Sequence, residues 1–334
     1  MDRLSTGSGF GPAPETASGD GVIVHVVDGT DAGRKLKEVL RKRLGMSRRM
    51  LIRLKSTEGG IRVNGADVRA DERVFPGDVI ELRIAEEWSE TITPQPMELD
   101  IVHEDDYLMV VNKPPGVVVH PTKGRYDNTL ANGVMHHWLQ KGERHRFRAV
   151  NRLDENTSGL VIVAKHPFAH QQLAVQMEKG LVTKRYCAFV YGCPPEPEGE
   201  IDAPIGRDPG SRRLRAVRPD GAPSRTRYAV ERKYGSAASR LAVWLDTGRT
   251  HQIRVHLQYL GCPVIGDPDY AGDAPERFPA VPGNVMARQA LHASFLAFRH
   301  PVTGTPVELE APLPVDLRRL EERLSILEQG VSSE

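Results

Sequence analysis

Cysteine is scarce in this chain of 334 residues: Cys187, Cys193 and Cys262 are odd in number, and none sits in a C-x-x-C or His-paired spacing. A disulfide framework and a zinc module are thereby excluded, and a reduced, cytoplasmic setting without a metal is expected. Long apolar runs are missing as well. No stretch approaches the roughly 18–20 residues that a membrane-spanning helix requires, so no membrane association is expected. Residues 1–20 lack the basic-then-apolar layout of a secretion signal and, rich in Gly, Ser, Thr and Pro, read as a disordered lead-in. An excess of either charge is absent too. The net charge is only +1, and that sum alone points to no polyanion.

The placement of charge says more than the sum. Between Arg34 and Lys55 ten cations face one acid, Glu38; a second group of arginines runs from Arg207 to Arg227, and acids gather between Glu86 and Asp106. Such segregation suits a protein that turns one face to phosphate, although two solvated helix faces and an acidic linker would look the same. Leu36, Val39, Leu40 and Leu44 recur at helical spacing up to Gly45, and Ser47 is placed to cap a second helix carrying Met50, Leu51 and Leu54. Ile61–Gly65 reads as a strand ending in a tight turn, and Pro76-Gly77-Asp78 as a turn before the strand Ile80–Ile84. Residues 21–85 are therefore a small α/β module. Arg48, Arg49 and Arg53 fall in the first turns of its second helix, where the helix dipole disfavours each cation by roughly 0.3–1 kcal/mol. An external anion reverses the sign of that effect, which makes them candidate phosphate contacts.

Residues 86–97, with Pro94, Pro96 and Trp88 among acids, read as a linker, and residues 98–328 as one larger domain before a mobile tail at 329–334. Strands are expected at Leu108–Asn112, Gly116–His120, Leu160–Lys165, Tyr186–Tyr191, Arg227–Lys233, Ala242–Asp246 and His292–Arg299. Helices are expected at Thr129–Gln140, His166–Gly180, His251–Leu260 and Pro314–Glu328. Strands and helices without βαβ regularity indicate an α+β fold. Asn151-Arg152-Leu153-Asp154-Glu155-Asn156-Thr157-Ser158-Gly159 runs straight into the apolar stretch Leu160–Ala164. An Asp held against a core is costly unless a cation or a reaction requires it, though in isolation it reads as a turn residue. Arg254, in Thr247-Gly248-Arg249-Thr250-His251-Gln252-Ile253-Arg254-Val255-His256-Leu257, is flanked by apolar residues and needs an anion if buried. Tyr186, in Lys184–Gly192, is by spacing alone a core tyrosine.

Together these three segments resemble the RluA-type RNA pseudouridine synthases, and the N-terminal module resembles the S4 RNA-binding domain. The resemblance implies an α+β fold with a mixed, largely antiparallel central sheet flanked by helices and loops. It implies an isomerase that breaks the N1–C1′ bond of uridine and joins C5 to C1′. Nothing is oxidised or lost, so no cofactor is needed. A carboxylate is a suitable covalent partner for a sugar carbon, and a nucleotide inside folded RNA must be flipped out at a cost on the order of a few kcal/mol.

Residue by residue, the resemblance makes Asp154 the nucleophile, Arg254 its salt-bridge partner, Tyr186 the platform stacked on the target base, and Arg152 the arginine that enters the RNA stack. Asn151 stands where the family has His, within the RNA-contacting loop. Val111–Gly116 and Arg288–Ala293 also match and frame the pocket, with Lys113 a candidate phosphate contact. His103, His136, His137, His251, His256 and His292 read as structural. Large-subunit ribosomal RNA is the first expected substrate and transfer RNA the alternative, on a monomeric enzyme; a non-catalytic RNA-binding or ribosome-assembly factor is the competing class. Asp246-Thr247-Gly248 has no second copy, which excludes an aspartic protease.

Overall fold

Alternating burial along Val22–Val26 and Val79–Arg83 puts Ile23, Ile80 and Leu82 on one face, beneath the apolar sides of helices Leu36–Lys42 and Arg48–Ser56. The computed structural model describes residues 16–18, 22–84, 88, 91–281 and 285–329. In it, a five-stranded antiparallel sheet runs Thr16–Ser18, Val22–Val26, Val79–Arg83, Ile61–Val63, Ala66–Asp67. Ser47 Oγ accepts from the Met50 amide at 3.2 Å as the helix cap. Asn64 and Gly65, with φ of 53° and 79°, form the two-residue hairpin turn that demands left-handed residues. This module shares its core with Phe168 and Val302 of the larger domain. Gln171 and Gln172 tie the two further, donating to the carbonyls of Gly45 and Leu44 at 2.5 and 2.8 Å.

The second sheet has ten strands. Its main path is Glu198–Asp202, Arg225–Tyr234, Ala238–Leu245, Thr183–Tyr191, Leu291–Arg299, Ser158–Ala164, Leu108–Lys113, Ile101–Glu104; Pro306–Glu310 adds to Leu291–Arg299 and Arg148–Ala149 to Ser158–Ala164. Ser158–Ala164 is buried at every position. Val161 and Val163 enter one apolar cluster with Trp138, while Leu160 and Ile162 enter another with Leu173 and Leu296, so both faces are covered. The sheet is α+β and mixed: Ser158 and Gly159 pair in parallel with His292 and Ala293, and the other ladders are antiparallel. A Cβ on Gly159 (φ +115°) would stand 2.3 Å from the Ala293 carbonyl oxygen. Only glycine lets the two strands meet at this seam, next to the Asp154 turn.

Three expectations are corrected. Thr16–Ser18, inside the supposed lead-in, pairs with Val22–Val26 as an edge strand; the rest of residues 1–20 lies outside the described residues. The supposed linker is anchored from its middle onward: Ile92 is buried in the large core, and Asn132 Nδ2 donates to the Thr93 carbonyl at 2.7 Å. Gly116–His120 is a loop rather than a strand. The carbonyls of Val118 and Val119 accept from the amides of Leu130 and Ala131, at 2.8 and 3.1 Å, so they satisfy the start of helix Leu130–Gln140 instead of a ladder. That helix ends at Gln140 as expected, and the last one runs Val315–Gln329; residues 330–334 lie outside the described residues.

Candidate active site

Asp154 sits on the turn leading into strand Ser158–Ala164, and the four residues after it are each tied to a distant element. Lys113 Nζ donates to the Glu155 carbonyl at 2.9 Å, Arg288 Nη1 to that of Asn156 at 3.0 Å, and Gln289 Nε2 to Thr157 Oγ1 at 3.1 Å. Ser158 Oγ lies 2.9 Å from His292 Nδ1. Arg288 is itself held by both carboxylate oxygens of Asp316, at 2.7 and 3.0 Å. A turn locked in this way presents its carboxylate preorganised, with little to rearrange when a substrate arrives.

Lys113 does not stand where a phosphate could reach it. It is fully buried, and Nζ donates to the carbonyls of Pro114 and Val117 at 2.8 and 2.7 Å besides Glu155. Three acceptors take all three N–H donors of an ammonium, so its place is as a strut under the Asp154 turn. Burial, with Arg288 nearby, pushes it down to about 7; the three carbonyls, which only the ammonium satisfies together, oppose that shift. Asn151 is likewise turned inward. Its Nδ2 donates to the Leu160 carbonyl at 3.1 Å and its Oδ1 accepts from the Ile162 amide at 2.8 Å. Both ends of the amide thus brace the loop against the strand. Arg152 is exposed.

Arg254 comes from helix Gln252–Tyr259, which is buried from Gln252 through Leu257. Gln252 Nε2 donates to the Arg225 carbonyl at 2.9 Å, and His256, one turn on, has Nδ1 2.8 Å from Thr226 Oγ1. These two residues pin the helix to strand Arg225–Tyr234. Arg254 meets three carboxylates. Its Nε and Nη2 donate to Asp267 at 2.6 and 2.7 Å, Nη2 also to Asp269 at 2.8 Å, and Nη1 faces Asp154 Oδ2 at 3.5 Å. Burial opposes the charge, but Asp267, Asp269 and Asp154 outweigh it and raise Arg254 above its ordinary value. Its tight, bidentate partner is therefore Asp267, a residue that sequence reading missed. The available signal was Gly266-Asp267-Pro268-Asp269, acids directly after the apolar Val264-Ile265. The expected pairing of Arg254 with Asp154 exists as the looser of its contacts. Asp267 is 0% exposed and Asp269 18%, whereas Asp154 is 27% exposed, so Asp154 is the carboxylate of the three that opens most to solvent.

Tyr186 follows a register shift between Arg185 and Tyr186 in the ladder to Leu291–Arg299, the kind of irregularity that re-aims a side chain. Burial, and then the Asp154 charge, raise its phenol above the ordinary value. It stays protonated at neutral pH, and the residue is 6% exposed. His251, read as structural from sequence, also reaches the site. It holds φ 59° and ψ 17° at the helix start, and Nε2 lies 4.0 Å from Asp154 Oδ2; such a left-handed residue costs about 1 kcal/mol or more. No group of three or more His, Cys, Asp or Glu among the described residues is arranged to hold a metal ion, and no described helix is long and apolar enough to cross a membrane.

On the small module Arg48 and Arg49 are exposed and Arg53 is half-buried. Burial, then Arg146 and Arg49, lower Arg53 below its ordinary value, and burial with Arg146 and Arg53 pushes Arg148 down to about 10. Cations of both modules thus converge at their junction.

The chain is similar to known proteins over most of its length. The family described as RNA pseudouridylate synthase matches residues 107–259. The chain is 41% identical to the uncharacterized RNA pseudouridine synthase YjbO of Bacillus subtilis, over 83% of this chain and 95% of that protein. It is 38% identical to the ribosomal large subunit pseudouridine synthase D of Neisseria meningitidis, over 98% of this chain and 88% of the other. Among solved structures, human RNA pseudouridylate synthase domain containing 1 is similar with a TM-score of 0.54 and 28% identity, covering 72% of this chain and 98% of that one. Matched across nearly its whole length by such relatives, the chain belongs to the RNA pseudouridine synthase family.

Proposed function

We propose that this enzyme isomerises uridines of large-subunit ribosomal RNA, with Asp154 attacking a nucleotide turned out of its helix. The observation that carries the reading is the unequal sharing of Arg254. Two carboxylates are tightly bound to it, while the third, on a locked turn, keeps a loose contact and an open side. A guanidinium at that distance orients Asp154 without engaging all its lone pairs. Tyr186 supplies the ring on which the uracil rests, worth roughly 1–3 kcal/mol per stacked base, and exposed Arg152 enters the gap in the RNA stack. The ribosomal assignment draws on the named activity of relatives such as that of Neisseria meningitidis. Mapping pseudouridine in total RNA from cells with and without the protein tests it. A large-subunit uridine should lose its signal and regain it with the intact gene; changes confined to transfer RNA would overturn the substrate.

Arg48, Arg49 and Arg53 extend the RNA surface onto the small module in this reading. The double charge reversal Arg48→Glu/Arg49→Glu should weaken binding of a ribosomal RNA fragment by on the order of tenfold at 0.1 M salt. It should also reduce the slope of log K against log salt by roughly 1–2. Filter binding across a salt series measures both, and an unchanged slope removes these residues from the interface.

A further inference from the structure

His251 stands beside Asp154 with its tautomer set by a chain of hydrogen bonds. The Arg215 amide, which can only donate, reaches Tyr270 Oη at 2.9 Å, and Tyr270 Oη lies 2.8 Å from His251 Nδ1. Two arrangements satisfy those distances. If Nδ1 carried the proton, the phenol oxygen would accept twice, its own proton would have no acceptor among the described residues, and the bare Nε2 lone pair would face the Asp154 carboxylate. If instead Tyr270 donates to Nδ1, the phenol proton has its acceptor and the Nε2–H side of the ring faces Asp154 Oδ2, 4.0 Å away. The second arrangement wins on both counts.

Burial is the largest influence and lowers His251 below its ordinary value; Arg254 acts in the same direction, while Asp154, Asp269 and Asp267 oppose it. The imidazole is neutral at pH 7, so which nitrogen holds the proton decides what it can do. Arg254 Nη1 and His251 Nε2 approach the same oxygen, Oδ2. That leaves Oδ1 as the one without a protein donor from either.

We propose that His251, held in its Nε2–H form by Tyr270, is a positioning residue that with Arg254 clamps Asp154 Oδ2 and so selects Oδ1 as the attacking oxygen. The proposal rests on Asp154 being the nucleophile. In the RNA-free chain the His251 contact is long, and it tightens when the site fills.

The test uses the full chain and a ribosomal RNA fragment under single-turnover conditions. In His251→Gln the amide N–H reaches the place of Nε2–H, so the rate should stay within about threefold of wild type. In His251→Asn the left-handed backbone is preserved, since asparagine tolerates it, but the amide is too short, and the rate should fall 10–100-fold. RNA affinity and melting temperature should match in the two variants. The neutral Gln should also shift the acid limb of the pH–rate profile, where protonation of His251 would otherwise strengthen its hold on Asp154 and slow attack. Equal rates for Gln and Asn, or an Asn variant as fast as wild type, would overturn the proposal. A readout independent of activity is the imidazole ¹⁵N pattern of His251. It should report a bare Nδ1 and a protonated Nε2, becoming a mixture in Tyr270→Phe; a protonated Nδ1 in wild type would also overturn it. Failure of the nucleophile assignment is distinguishable, because Asp154→Asn would then remain active whatever the His251 series shows.

Discussion

Asp154→Asn is expected to stop pseudouridine formation, a loss on the order of 10⁴-fold or more, as for removal of other nucleophiles. It should change the unfolding free energy by less than about 1 kcal/mol, the usual range for a site not built into the core. The asymmetry follows from Arg254. Its short bonds go to Asp267 and Asp269, so neutralising the third and most exposed carboxylate strands no charge. Single-turnover product analysis beside a denaturant titration reads both quantities. Product from the Asn variant would end the nucleophile assignment, and a large stability loss would mean that Asp154 is a structural ion pair.

Arg254→Met should behave in the opposite way, losing both activity and fold stability. Asp267 has no exposed side-chain surface, and removing the partner of a buried ion costs about 3–5 kcal/mol. Urea melts beside single-turnover assays measure both losses. Unchanged stability would mean that the Asp269 and Tyr270 amides, which donate to Asp267 Oδ1 at 3.0 and 3.2 Å, hold that carboxylate without the guanidinium.

Local pattern announces most of the scaffold. The run Leu160–Ala164, the caps Ser47 and Thr129, and the Asn64-Gly65 turn follow from chemistry within a few residues of each position. What sequence could not disclose depends on partners far along the chain. Val117–Val119 have the composition of a strand, yet their carbonyls are committed to Lys113 and to a helix start. Ile92 is one apolar residue in a polar stretch and has no period to betray its burial. At the site, the resemblance pointed to Asp154, Tyr186 and Arg254, and the demand of a buried guanidinium for anions was legible. That Asp267 rather than Asp154 would meet most of it was not, nor was the proximity of His251, whose geometry depends on Tyr270 and Arg215.

The parallel seam between Ser158–Gly159 and His292–Ala293 joins residues 134 positions apart. Contacts of such long sequence separation form slowly, because chain entropy must be surrendered before they are made. During synthesis, which proceeds from the N-terminus, Asp154 leaves the ribosome well before Arg254, Arg288 or His292 exist to aim it. If Asp154 is the nucleophile proposed above, the nascent chain is expected to be inert toward RNA until strand Leu291–Arg299 has zipped into place.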